Sequence, residues 1–290
     1  MSAASVELRM PAGHRRSQLF RRLGRFALYA ILVIAAIYYL IPVYMLLITS
    51  LKGVTEVSLS RMWAFPEGLN LGSFAQAWER LAPNFANSLL IAVPGSIISS
   101  IIGSLNGYIL AKWKFRGADT LFTLILFGMF IPYQAVLVPL VQIGHFFGLY
   151  GTIPGLVVVH IIYGIPITTL IFRNYYVGIP NELIESARID GAGFTAIYRL
   201  ILLPLSITGF VVVLIWQFTS AWNDFLFAVT LTSQQNWPVT VALNNLAGSF
   251  IVDWNVQMAG ALIAAIPTLL VYILLGRYFV RGLLAGSLKG

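Results

Sequence analysis

Long stretches without a charged residue alternate along this chain with short clusters of basic and polar residues, and the spacing sets the architecture. No charge occurs from Phe26 to Leu51. Further apolar stretches lie within 84–111, between Arg80 and Lys112, and at 120–142, 151–172, 203–222 and 256–276, with Asp119, Arg173, Asp224 and Arg277 among the charges that bound them. A helix needs about 20 apolar residues to cross about 30 Å of hydrocarbon. Each stretch meets that length, so the pattern predicts an all-α polytopic membrane protein with six transmembrane helices. Gly and Pro recur inside the stretches, as at Pro94, Gly95, Gly103, Pro132, Pro154, Gly164 and Pro166. In a membrane such residues kink helices or let them approach closely, because neighbouring helices satisfy the freed backbone groups.

Composition agrees with the pattern. Apolar residues make up 59% of the 290 and charged residues 10%, against roughly 45–50% and about 25% in a soluble domain. Lipid is therefore the main solvent. The absence of cysteine excludes disulfides, thiol catalysis and thiolate metal sites. A net charge of +8 could suggest nucleic acid, but a nucleic-acid face gathers basic residues with stacking aromatics. Here the basic residues flank apolar spans, so topology accounts for them and no nucleic-acid partner is expected.

Orientation follows from those flanks. With the amino terminus inside, the inner segments are 1–25, 112–119, 173–202 and 277–290. They hold fifteen of the eighteen Lys and Arg; Lys52, Arg61 and Arg80 alone fall outside. This is the positive-inside bias, and it puts both termini in the cytoplasm. The first basic-then-apolar segment is read as a retained span, because a leader's apolar core is only about 7–15 residues. The chain reads as a single membrane domain over 1–290. Its three sizeable soluble pieces are outside loops at 52–82 and 223–255 and an inner loop at 173–202.

The inner loop carries the most information. Pro180 and Asn181 open a helix, with Asn181 as the expected N-cap. Glu182 and Glu185 fall near the positive end of its dipole, and Leu183, Ile184 and Ala187 make an apolar stripe. Asp190-Gly191-Ala192-Gly193 breaks the helix. A second amphipathic stretch follows, with Phe194, Ile197, Tyr198 and Ile201 on one face, and Pro204 marks the start of the fifth span. Such a helix–turn–helix could rest among lipid headgroups or dock a cytoplasmic protein; periodicity alone leaves both open.

The motifs add a resemblance. Glu185-Ser186-Ala187, then Asp190-Gly191-Ala192, then Ile201 to Leu203-Pro204 resembles the EAA loop of ABC importer permeases, with Ser186 standing for the second-position Ala. Asn87-Ser88-Leu89, Trp222-Asn223-Asp224-Phe225-Leu226 and the tail from Arg281 to Gly290 are similar to the carbohydrate branch, in particular the shorter permease of maltose-type transporters. The resemblance implies a type I importer permease fold in a prokaryotic inner membrane. It implies four kinds of partner besides lipid: a second permease subunit, two copies of a cytoplasmic ATPase that hold ATP and Mg, an extracytoplasmic solute-binding protein, and a sugar or oligosaccharide as cargo. It also implies that Glu185, Ser186, Ala187, Asp190, Gly191 and Ala192 contact the ATPase.

The remaining chemistry fits a transport subunit without an ATPase site of its own. No G-x-x-x-x-G-K-[ST] loop or metal-ligand spacing occurs. His14, His145 and His160 are far apart in sequence; His160, inside the fourth span, reads as a neutral histidine bonded to a neighbouring helix. The spans are nearly free of charge, and a mid-membrane ion costs about 2.5–3.5 kcal/mol on insertion scales. Ion-coupled carriers commonly accept that cost, so a stand-alone secondary carrier is disfavoured, as is an anionic cargo. A sugar, or another neutral solute such as a polyol or glycerol derivative, fits better. Tyr163, Trp216, Gln217, Trp222 and Asn223 are the candidates to line its path. Gln234, Gln235, Asn236, Trp237, Asn244 and Asn245 in the last outside loop are candidates to face the solute-binding protein.

Overall fold

The computed structural model describes residues 12–113, 115–248 and 252–287. Of the segments singled out above, positions 1–11 of the first inner segment, 114 of the second, 249–251 of the last outer one and 288–290 of the tail lie outside them. Twelve α-helices run through the described residues: α1 (Ala12–Ser50), α2 (Gly72–Lys112), α3 (Ala118–Phe127), α4 (Tyr133–Phe146), α5 (Ile153–Val177), α6 (Asn181–Ile189), α7 (Phe194–Ile197), α8 (Leu203–Leu205), α9 (Ile207–Trp222), α10 (Leu226–Leu231), α11 (Val239–Ala247) and α12 (Trp254–Ser287). No strand occurs among the described residues. Four helices are long and apolar enough to span a membrane unbroken, and two bent pairs bring the total to six.

The frame is α2 with α5 against it and α9 and α12 alongside. In lipid there is no hydrophobic drive between helices, so close approach of small residues has to supply the packing. On α2, Gly95, Ser99, Gly103 and Gly107 recur every four residues and are all buried. A Cβ added at Gly103 would lie 2.1 Å from Thr168 Oγ1, and one at Gly107 would lie 2.7 Å from Phe172 Cβ. The serines between them satisfy themselves on their own helix: Ser99 Oγ donates to Gly95 O (2.7 Å) and Ser100 Oγ to Ser96 O (2.6 Å). Thr168 Oγ1 crosses to Ser99 O at 3.1 Å. By contrast α1 packs chiefly on α12, and only 6% of its apolar window is buried inside the protein.

Three boundaries differ from the sequence pattern. The second span starts a dozen residues earlier than expected, so the outer loop after α1 ends near residue 71. The first turns of α2 carry Glu79 and Arg80 outward while Ser73, Ala77 and Leu81 are buried, the latter two beside Gly260 of α12. Pro83 lies inside this helix instead of before it. The third span is a broken pair, α3 and α4, bent by 98°. Pro132 forces the residue before it out of the helical region, and Ile131 is extended at ψ 118°. The fifth span bends by 77° around Ser206, so its straight part starts at Ile207 and not at Pro204.

The outer segments fold back on this frame. Asn84 Nδ2 donates to Trp237 O (2.8 Å), Asn87 Nδ2 to Gln235 O and Trp237 O (both 3.1 Å), and Val239 N to Ser88 Oγ (2.8 Å). The Asn87-Ser88 motif thus ties the 223–255 segment, expected as an outside loop, to α2, and that segment contains α10 and α11. In the first outer segment, buried Lys52 donates to Arg61 O and Met62 O (2.8 and 3.3 Å). Glu56 accepts from Glu67 N and Gly53 N, and the Glu67 amide first of all holds its carboxyl below the usual range. Its contribution to the segment is accordingly present at neutral pH and lost as pH falls through that lowered value.

Because α2 and α5 meet through glycine, a side chain at Gly107 has nowhere to go. Gly107→Val is expected to lower stability by about 1–3 kcal/mol or more through overpacking, read as a lower unfolding midpoint in detergent. An unchanged midpoint would show that the two helices can separate at no cost.

Candidate functional site

Two regions concentrate the expected residues. The first is the helix–turn–helix after α5. Its apolar side is consumed by the protein itself: Ile184, Ala187, Ile197 and Tyr198 join Tyr108, Phe172 and Tyr176 in one buried cluster. Tyr108 stacks on Phe194 and Tyr198 with ring centroids 4.8 and 5.8 Å apart, and Arg188 lies over Trp113 at 4.6 Å. Lys112, ending α2, donates to Ile179 O and to Asn181 Oδ1 (2.8 Å). Asn181 therefore serves as an acceptor for Lys112 and not as the N-cap; Pro180 holds that position without a side-chain bond.

What remains exposed is an outer face of Glu182, Glu185, Ser186, Ile189, Asp190 and Gly191. Ala187 lies beneath this face, 8% exposed, and Ala192 is half-buried. Gly191 makes the turn at φ +84° with no atom within 4 Å of where a Cβ would stand. Ile189 was missed by the sequence reading. It is 86% exposed, and nothing in its sequence position distinguishes it from the stripe that is buried. Leu183, assigned to that stripe, is 45% exposed.

A buried chain of hydroxyls joins this loop to the spans. Ser104 Oγ of α2 lies 3.0 Å from Tyr198 Oη and 2.6 Å from Tyr176 Oη, and Tyr176 Oη donates to Ser206 Oγ at 3.1 Å. Tyr198 opens a π-helical turn, 198–202, and Ser206 is the bend before α9. Such turns recur at functional sites. One network thus fixes α2, α5, the loop and the start of α9 together.

The second region is a cavity of about 490 Å³ between the α3–α4 break, α5 and the α9–α10 junction. Tyr163, Trp216, Gln217 and Asn223 line it, together with Tyr133, His160, Ser220, Asp224 and Phe227. Gln217 is buried at the glycine gap of α5: a Cβ on Gly164 would lie 2.0 Å from its Nε2. Trp222, the fifth expected residue, is absent from the lining. Its indole donates to Ala264 O (3.0 Å) and its ring packs on Phe85 and Phe218, so it fastens α9 to α12. Asp224 accepts from Phe227 N (3.3 Å) and Ala228 N (3.0 Å), holding α10. A second cavity of about 80 Å³, lined by residues such as Leu140, Ile143 and Val158, is almost wholly apolar. Among the described residues no His, Asp and Glu group could hold a metal.

In the last outer segment Gln234, Gln235, Asn244 and Asn245 are exposed, whereas Asn236 and Trp237 are half-buried. Asn236 Nδ2 donates to Gly151 O at 2.7 Å, which commits that side chain to the fold.

Residues 99–284 match the family of binding-protein-dependent transport system inner membrane components. A probable ABC transporter permease protein of Pyrococcus horikoshii is 47% identical over 92% of this chain and 98% of its own length. The xylose/arabinose import permease protein of Haloferax volcanii is 38% identical, over 90% of this chain and 92% of its own. Among solved structures, a chain of a bacterial ABC transporter that imports the acidic polysaccharide alginate superposes with a TM-score of 0.75 at 21% identity, covering 89% of this chain and 97% of that one. That likeness is one of fold.

Ser104 is the hub of the hydroxyl chain. Ser104→Ala leaves two buried phenols short of a partner and is expected to cost about 1–3 kcal/mol, seen as a lower unfolding midpoint, while Tyr198→Phe keeps the ring stack and costs less. Equal midpoints for both variants and the unaltered protein would mean that the chain of hydroxyls holds nothing together.

Proposed function

The chain belongs to the inner membrane components of binding-protein-dependent transport systems, and on that premise we propose that it is the shorter permease of a carbohydrate ABC importer. It pairs with a second permease. Two copies of a cytoplasmic ATPase, which hold the ATP and Mg, drive the pair, and an extracytoplasmic binding protein delivers the solute. Both termini lie in the cytoplasm, in keeping with the basic flanks. The reaction is alternating access of a path that the two permeases enclose.

The observation that carries this reading is the loop at 180–203, whose inner face is already occupied. A headgroup-resting helix would turn its apolar side to lipid, but here Ile184, Ala187 and Ile197 are buried in the bundle. The face left over carries Glu182, Glu185, Ser186, Arg188 and Asp190 around Ile189, with Leu183 45% exposed beside them, a mixed composition that suits a docking surface better than a membrane anchor. Glu185, Ser186, Asp190 and Gly191 form it, while Ala187 and Ala192 support it from below. Coupling then requires an element that both sites bias, and the Tyr198–Ser104–Tyr176–Ser206 chain gives the loop a direct mechanical connection to α9. The cavity beside Tyr163, Trp216, Gln217 and Asn223 is the part of the path that this subunit contributes. A sugar cargo is supported by the absence of Lys and Arg from its lining and by the pentose permease among the relatives.

Purification in mild detergent is expected to recover an ATPase and a second permease with this chain; a chain that stays alone even after cross-linking through 180–203 would sink the proposal. Within the complex, Ile189→Lys removes an apolar contact worth about 1.5–3 kcal/mol on full burial. It should weaken ATPase retention at least about tenfold with the unfolding midpoint of the isolated chain unchanged. Glu185→Ala and Gly191→Trp should separate hydrolysis from uptake in proteoliposomes, with ATP still consumed while solute entry falls. Normal uptake by Gly191→Trp would count against docking at this turn.

A further inference from the structure

We propose that the cavity on this subunit is itself a recognition site for an uncharged polyhydroxylated solute, read by His160 and Asp224, and that it rejects acidic sugars; the proposal rests on the permease reading above. His160 is 7% exposed and lines the cavity, yet its Nε2 has no hydrogen-bond partner. Asp224 Oδ2 stands 3.6 Å from it, beyond hydrogen-bond reach. A buried ring nitrogen left unbonded is costly. His160 is an ionisable group inside a membrane-spanning helix, a placement that marks a functional position more often than a structural one. A solute hydroxyl can donate to one of these groups and accept from the other, which a histidine fastened to a neighbouring helix could not offer.

The surroundings select the ligand class. Aromatic rings of Tyr133, Tyr163, Trp216 and Phe227 supply flat apolar surface. Gln217, Ser220 and Asn223 supply further donors and acceptors. That combination suits a sugar ring, apolar on its faces and hydroxylated at its edge. The charge balance excludes the acidic members of the class. No Lys or Arg lines the cavity. Asp224 already sets a carboxylate oxygen 3.6 Å from His160, so an acidic sugar would bring a second carboxylate to the same spot with no Lys or Arg to receive it. The site also stands at the α3–α4 break of one span and at the α9–α10 junction where another ends, and a broken helix can expose backbone groups to a solute.

The cysteine-free chain makes occupancy directly measurable. Ser220→Cys places one thiol in the cavity wall of the full importer, and its labelling by a small maleimide is followed by mass spectrometry of this chain. Glucose, galactose, xylose, arabinose and maltose are compared with glucuronate and galacturonate as protecting agents. Protection by one or more neutral sugars and by neither acid is expected. Asp224→Asn, which keeps one of the two acceptors that hold α10, should raise the half-protecting concentration about 10- to 100-fold, as for loss of one charge-assisted hydrogen bond. His160→Gln should raise it in the same direction. Acids protecting as well as neutral sugars, or both variants leaving protection unchanged, would overturn the proposal. No protection by any neutral sugar, while the assembled importer still takes up solute with ATP, overturns it too and leaves the permease reading intact. Failure of the ATPase to assemble would instead strike at that reading.

Discussion

The close contact of α2 with α5 is what the rest of this structure depends on. In hydrocarbon an apolar side chain gains nothing by leaving lipid for another helix, so surfaces must interlock by shape and by hydrogen bonds. The four-residue recurrence of Gly95, Ser99, Gly103 and Gly107 lets the two backbones meet, with Thr168 reaching across to Ser99 O. The same contact sets both functional regions. Toward one end it brings Ser104 beneath Tyr176, where the loop is fastened. Toward the other it leaves the gap at Gly164 into which Gln217 fits.

The spans were legible in the sequence because hydropathy over twenty residues is a strong, local signal, and all six were found. Their breaks were less so. Pro132 and Pro204 were visible, but a proline in a membrane helix can be absorbed, as Pro83 and Pro94 are within α2, or can end it, as Pro132 does. Which happens depends on the partners available to the freed backbone groups, and those are tertiary. The amphipathic face of α6 was legible down to Ile184 and Ala187. That the apolar side would be covered by Tyr108 and Phe172 and not by lipid was not, since periodicity gives a face but no partner.

The cavity divided in the same way. Tyr163, Trp216, Gln217 and Asn223 were found because polar and aromatic residues in apolar spans are conspicuous. Trp222 was equally conspicuous and belongs to packing, its indole spent on Ala264 O. His160 and Asp224 were set apart because each looked separately explicable, one as a bonded histidine and the other as a charge just past a span. Sixty-odd residues of chain separate them, and only the tertiary fold brings them to 3.6 Å.

The placement of the two regions on shared helices constrains how work can pass between them. The inner side of the 180–203 loop is packed into the bundle through Ile184, Ala187, Ile197 and Tyr198, and packed cores yield to small displacements in steps and not continuously. A push on Glu185 or Ile189 therefore cannot be absorbed by sliding within the loop. It must move α2 and α5 as a unit, against their glycine contact, or turn α9 about Ser206. The second route meets less resistance: the fifth span is already bent by 77° there, and the bend is held by hydroxyl contacts that can be exchanged without separating interlocked backbones. α9 carries Trp216, Gln217 and Ser220 at its far end and leads directly into Asp224. Rotation about Ser206 would change the distance from Asp224 to His160 on α5, which stays with α2. In the proposed mechanism, the pair that reads the solute thus spans the boundary between the fixed and the moving part. By reciprocity, whatever the ATPase does to that distance, a bound solute does in return to the loop.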